Sequence, residues 1–368
     1  MMKSKRYLLA ALVIALAVLT LAACETQTVE VQVTRVIDVT ATPRAMTFHD
    51  AAAIEAETAP HQCQPLASLP TEFSQPWRLG FINPNLAHPF FGEWSGAMKS
   101  AAEFYGVEFF ESDAAGDYAT EPDLLETLLL NDLSIVGAHG PNVYEGLALR
   151  ALDEGIQFIG IDNGPSEYTP IVYGIPDGIA GMRGAELLVE GVRKRQAEDW
   201  AGRELFFIEL THGGIPACVT RTGSAASTFK EAFELDDDHV LMADLTTGRS
   251  AEDMVNDTMT AHPDGVFAMI PCWDGLGIGP YNAVTEAGNE ADVMLVTLGG
   301  DEPPAKFLKT RPMGYYGFIE FQPYCEGWGW VEVALATLEG LPFETYQVRK
   351  AITQETVDQR YAELYESE

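Results

Sequence analysis

Residues 77–106 read WRLGFINPNLAHPFFGEWSGAMKSAAEFYG. Trp77 to Ile82 is a short apolar run, which reads as a strand. It stops in the turn residues Asn83-Pro84-Asn85. From Gly92 onward, Trp94, Ala97, Met98, Ala101, Phe104 and Tyr105 recur at helical spacing, and Gly106 closes the helix. The unit is therefore strand, loop, helix. The loop carries three residues that a plain turn does not need: His88, Phe90 and Phe91.

The same rhythm runs down the chain. VEFFES, SIVGAHG and QFIGIDNG read as strands, separated by the helices EPDLLETLLLND and NVYEGLALRALDEG. The second half repeats it. ELFFIELTHGG, HVLMADLTTG, GVFAMIPC, DVMLVTLGG and MGYYGFIEF are strands. Helices flank them: GIAGMRGAELLVEGVRKRQ, SAASTFKEAFEL, SAEDMVNDTMTAHP, LGIGPYNAVTEAG and PAKFLKT. YCEGWGWVEVALATLEG is the last long helix. Strands alternating with helices imply parallel sheets built from βαβ units. Two series in tandem imply an α/β protein of two doubly wound lobes. In open parallel sheets, ligands sit beyond the carboxyl ends of the strands, and the 83–91 loop lies at such an end.

The chain has 368 residues, room for about two domains. Its 22 Lys+Arg against 55 Asp+Glu give a net charge of −33, a surface that repels nucleic acid and anionic membranes. MMKSKRY is a basic leader, and Leu8 to Leu21 is apolar but short for a membrane span. Leu21-Ala22-Ala23-Cys24 resembles the lipobox of a bacterial lipoprotein, with an ordinary secretory signal or a short membrane helix as the alternative. Cleavage of residues 1–23 would leave Cys24 as a lipid anchor in the cell membrane. It would remove three cations and no acid, taking the charge to −36. Residues 24–76 read as a tether and lead-in. Cys63, Cys218, Cys272 and Cys325 remain, an even number that allows three disulfide connectivities, with free buried thiols as the alternative. The seven His lack metal-ligand spacing, and no cofactor motif is present.

Several segments in order resemble the type I periplasmic solute-binding proteins of ABC importers, the ribose- and galactose-binding group. They are NPNLAHPFFGEWSGAMKSAAEFYG, QFIGIDNG, TAHPDGVFAMIPCWDGLGIG and DVMLVTLGGD, within about Trp77 to Ala351. The resemblance implies two lobes joined by a three-strand hinge that closes around a ligand. The crossings would fall near Gly174-Ile175, Phe321-Gln322 and Tyr346-Val348. The first lobe would be 77–174 plus 322–346, and the second 175–321 plus 347–368.

The resemblance also implies site residues. Phe90 and Phe91 stand where the family stacks aromatics on a sugar, and His88 at a hydroxyl-binding Asn. Asp162 stands at the ligand Asp, able to accept from two vicinal hydroxyls. Asn163 replaces an Arg. A second family Arg falls on Ala225, with Arg221 nearby as a substitute. Trp273 replaces an Asn and could stack on the other ligand face, and Asp274 keeps the Asp. The next family Asp is Gly299, with Asp301 two residues on. The last Gln position falls on Phe321, between Glu320 and Gln322. The binding loops would be 83–91, 162–163, 218–224, 273–274 and 299–301. A bridge between Cys218 and Cys272 is plausible in the second lobe, and Cys63 could staple the lead-in to Cys325.

Acids and aromatics outnumber cations at these positions, which favours a small neutral sugar or polyol, or else a cationic amine. The expected function is capture without chemistry by a monomer that presents ligand to an ABC permease or to a membrane receptor. A secreted carbohydrate-active enzyme is the other class, using Asp162 and Asp274 as acid and base. It lacks a GxSxG, HExxH or P-loop motif.

Overall fold

The computed structural model describes residues 46–59, 61–139, 144–162, 166–345 and 350–366. The leader, the Cys24 anchor, the tether to residue 45, Asn163 and the third hinge crossing at 346–348 lie outside the described residues.

Two sheets organise the rest. The first is parallel and five-stranded, in the order β2-β1-β3-β4-β5. Its strands are β1 Arg78–Asn83, β2 Glu108–Asp113, β3 Ile135–Ala138, β4 Gln157–Ile161 and β5 Val172–Tyr173. The second is six-stranded, in the order β11-β10-β9-β8-β6-β7. It contains β6 Leu205–Thr211, β7 Val240–Asp244, β8 Val266–Pro271, β9 Val293–Gly299, β10 Tyr315–Glu320 and β11 Lys350–Thr353. All its pairs are parallel except β10 with the edge strand β11. Every residue of β6, β8 and β9 is buried, as expected of parallel strands covered on both faces. This is the doubly wound two-lobe architecture of the type I periplasmic binding proteins.

Each sheet has a core on both faces. In the first lobe, Leu79 and Phe81 pack with helix α2 (Pro89–Tyr105) and α10 (Pro323–Glu339), through Trp94, Met98, Trp328 and Trp330. Ile82 and Val136 face the other way, onto α3 (Glu121–Leu129) and α4 (Tyr144–Asp153). In the second lobe, α5 (Asp177–Gln196) and α6 (Pro216–Phe233) cover one face. On the other lie α7 (Ala251–Ala261), α8 (Asp274–Glu286), α9 (Glu302–Lys309) and α11 (Val357–Tyr365). β5 belongs to the first sheet while the next helix, α5, packs on the second, and β10 belongs to the second sheet while the next helix, α10, packs in the first core.

Four features differ from the sequence reading. The lead-in has more structure than a segment stapled down through Cys63. It forms a helix, α1 (Ala51–Glu57), capped by Asp50, and buries Ile54, Leu66 and Leu69 in the first-lobe core. Each such side chain contributes roughly 1.5–3 kcal/mol when fully buried. Residues 218–224 are not a loop, because α6 begins at Pro216, a favoured first helical residue with no N–H to satisfy. Helix α2 begins at Pro89 for the same reason, so Phe90 and Phe91 ride on its first turn. Strand β11 and helix α11 were not expected. Cys63 is bonded to Cys325, tying the lead-in to the start of α10, and Cys218 to Cys272.

Candidate functional site

The quoted loop is held by its own polar residues. Asn83 is fully buried at the end of β1. Its Nδ2 donates to the Phe91 carbonyl at 3.0 Å and to Glu111 Oε1 at 3.2 Å, and its Oδ1 accepts from Asn85 N at 3.0 Å. Asp113 Oδ1 accepts from Leu86 N at 3.1 Å. These bonds turn the chain so that α2 starts with its aromatic residues at the carboxyl edge of the sheet.

There the rings form one cluster. Phe91 lies 5.2 Å from His88, 5.5 Å from Phe90, 5.1 Å from Trp94 and 5.5 Å from His139, centre to centre. Phe90 packs against the cores of both lobes. Trp94 is fixed in turn, its Nε1 donating to Glu326 Oε2 at 2.9 Å. His139 follows β3, and burial lowers its pKa while Asp162 acts against that and Arg221 with it. His139 thus has one neighbour from each lobe.

Asp162 ends β4 with a left-handed backbone, φ 56°, uncommon for a residue other than glycine. Its Oδ1 accepts from Ile175 N at 3.0 Å, across the first crossing. Gly174, at φ 127°, makes this possible, since a Cβ there would stand 2.0 Å from Asp162 Oδ1. The second lobe repeats the device. Asp274 opens α8, and its Oδ2 accepts from Gly300 N at 2.6 Å. A Cβ at Gly299, φ 137°, would stand 2.1 Å from that Oδ2. The sequence noted Gly299 only as a lost Asp; in the structure the glycine makes room for a carboxylate already present.

Asp301 caps α9. Burial raises its pKa and His88, across the lobes, pulls it back. Burial, with Asp301 adding, pushes Asp274 up to about 7. Glu93 on α2 is also pushed to about 7, by burial and then by Asp301, Glu302 and Glu320. Arg221 reaches in from α6. Its Nε donates to Asp177 Oδ1 at 2.6 Å, and its guanidinium lies 5.0 Å over the Phe321 ring. Ala225, the strict-register position, is buried in the helix interface instead. Burial raises Asp177 to about 6 even beside Arg221.

The structure thus gathers His88, Phe90, Phe91, Asp162, Arg221, Asp274, Asp301 and Phe321 where the lobes meet. Glu320 differs. It is fully buried and taken up by Arg360 Nε at 2.8 Å and Gln322 Nε2 at 3.0 Å. Trp273 precedes α8, is 36% exposed, and makes no ring contact among the described residues. Sequence reasoning missed Glu93, His139 and Asp177. His139 had a signal, since it ends SIVGAH as Asp162 ends QFIGID. A separate cleft of about 680 Å³ opens between Ala52, Glu55, Gln62 and Gln64 of the lead-in and Gln322 and Lys350.

The family model described as a periplasmic binding protein domain matches residues 79–342. The chain belongs to this family. No curated protein matches it. Solved structures of family-like fold include an ABC transporter periplasmic solute-binding protein from Actinobacillus succinogenes 130z with bound D-allose. It is 15% identical, with a TM-score of 0.63, over 77% of this chain and 99% of that one. A solute-binding protein from Bacillus halodurans C-125 with bound myo-inositol is 18% identical, TM-score 0.63, over 79% and 99%. One from Agrobacterium vitis with bound allitol is 18% identical, TM-score 0.64, over 78% and 99%. At these identities the likeness is one of fold.

Proposed function

We propose that this protein is an extracytoplasmic lipoprotein, anchored through Cys24, that captures a small sugar or polyol between its lobes for an ABC permease. The observation that carries the reading is the meeting of aromatic rings and buried carboxylates at the lobe junction. A sugar ring has C–H faces and a rim of hydroxyls. Phe90 and Phe91 offer apolar faces to the first, backed by the fully buried Trp94. Asp162, Asp274 and Asp301 offer acceptors to the second, and Arg221 and His139 offer donors.

Ligand would first meet one lobe, then draw the other over it by rotation at Gly174-Ile175 and Phe321-Gln322, and the closed form would dock on the permease. The bound sugars and polyols named for the similar structures support the class of ligand. The protein would act as a monomer and without turnover.

A thermal-shift panel of sugars and polyols on the mature protein tests this, because a ligand of the folded state raises its melting temperature. The reading expects a hydroxyl-rich molecule to stabilise the protein and to be recovered unchanged. Slow consumption of a glycoside would replace it with the enzyme reading.

A further inference from the structure

The charges at the lobe junction do not balance. Asp177 has Arg221, and Glu320 has Arg360 at 2.8 Å. Glu93, Asp162, Asp274 and Asp301 have no salt bridge among the described residues. Asp162, Asp274 and Asp301 are only 4%, 6% and 7% exposed. Desolvated carboxylates without a cation are unfavourable, and a neighbouring carboxylate can raise the pKa further. Asp301 does so to both Asp274 and Glu93, from opposite lobes, so it stands between them electrostatically. Glu302 adds to this acidic cluster, the Tyr365 hydroxyl is held neutral by burial and by the same carboxylates, and His88 faces it from the first lobe.

A second observation points to a ligand. Asp274 Oδ1 is buried and closes no hydrogen bond, although the Thr297 hydroxyl lies near enough to hold the carboxyl's pKa down, while Oδ2 takes the Gly300 N–H. A buried acceptor of this kind calls for a donor. A neutral hydroxyl would supply one hydrogen bond and leave Asp274 and Glu93 partly protonated near pH 7. An ammonium group supplies three donors and the missing charge, and it is also attracted to aromatic faces such as Phe90 and Phe91.

We propose that the ligand is an amino sugar or aminocyclitol, held with its ammonium group among Asp274, Asp301 and Glu93 and its hydroxyls toward Asp162 and Arg221. The inference rests on the sugar-binding reading and narrows its substrate class from neutral to cationic. Asp301 is then the specificity-determining residue.

The test is titration calorimetry on the mature protein with matched pairs: D-glucosamine and D-glucose, D-galactosamine and D-galactose, scyllo-inosamine and scyllo-inositol. Putrescine serves as a cation without a ring, and N-acetyl-D-glucosamine as a ring without the charge. An amine member is expected to bind about tenfold or more tightly than its hydroxyl partner, the gap between a charge-assisted and a neutral bond. Asp301→Asn should bring the pair near parity. It should also raise the melting temperature of the ligand-free protein by relieving repulsion, which separates lost binding from lost folding. A hydroxyl member binding as well as its amine partner overturns the inference and leaves the sugar reading standing. Binding of putrescine alone, or of nothing in the panel, overturns both.

Discussion

Gly299→Ala is a sharp test of how the second lobe holds its carboxylate. Two costs add. At φ 137° only glycine is comfortable, and another residue there costs about 1–3 kcal/mol. The new Cβ would also stand 2.1 Å from Asp274 Oδ2, so the carboxylate must move by more than an ångström. That breaks its 2.6 Å bond from Gly300 N–H inside a buried site, a charge-assisted bond of about 1.5–3 kcal/mol. The sum is about 2.5–6 kcal/mol. Gly340→Ala is the control. Gly340 also has positive φ, 67°, but a Cβ there meets nothing within 4 Å. It should cost only about 1 kcal/mol and leave binding unchanged. Urea denaturation gives the stabilities, and calorimetry with the ligand found in the panel gives the affinities. The reasoning is refuted if the two variants lose equal stability, or if Gly299→Ala binds like the wild type.

Other outcomes follow from buried groups. Burial raises Glu93, Asp274 and Glu332 to about 7, Glu121 to about 8 and Asp177 to about 6. The folded protein therefore keeps protons that the unfolded chain releases above about pH 4, so stability falls as pH rises through 7. His61, lowered to about 4, acts oppositely below 6.5, as do His49 and His139, also lowered by burial, but they are three groups against five. Thermal melts should show a higher midpoint at about pH 5.5 than at about pH 8, and the reverse order would contradict this. Replacing both Cys218 and Cys272 by Ser opens a loop of sequence separation 54 and should cost about 4 kcal/mol on the chain-entropy account, read by denaturation without reductant. Arg360→Met strands the fully buried Glu320 and should cost about 3 kcal/mol or more. Glu320→Gln in that background should recover part of the loss.

The doubly wound fold was legible because its strands advertise burial on both faces. LFFIELT and VMLVTLG are runs without polar alternation, and only a parallel sheet between helices hides both faces of such a strand. The lead-in was harder. AAAIEAE has one large apolar residue, Ile54, and its helix is stabilised by packing on the distant α10, which periodicity within the segment does not report. The α6 start was misread although Pro216 marks it, because the site pattern suggested a loop there. Aromatic site positions were legible as residues out of place in a turn. The electrostatics were not. Asp177 and Arg221 pair across α5 and α6, 44 residues apart, and Glu93 gains its meaning only from Asp301 in the other lobe. Such pairs are set by tertiary contact, and no local pattern records them.

The central claim is that ligand binds between the lobes, on the aromatic cluster and Asp162. Calorimetry of the wild type beside Phe91→Ala and Asp162→Asn tests it most directly. Single-site binding that each variant weakens by roughly tenfold or more is the predicted result. If both variants bind the ligand as the wild type does, it sits elsewhere, and the cleft beside Gln322 and Lys350 becomes the place to look.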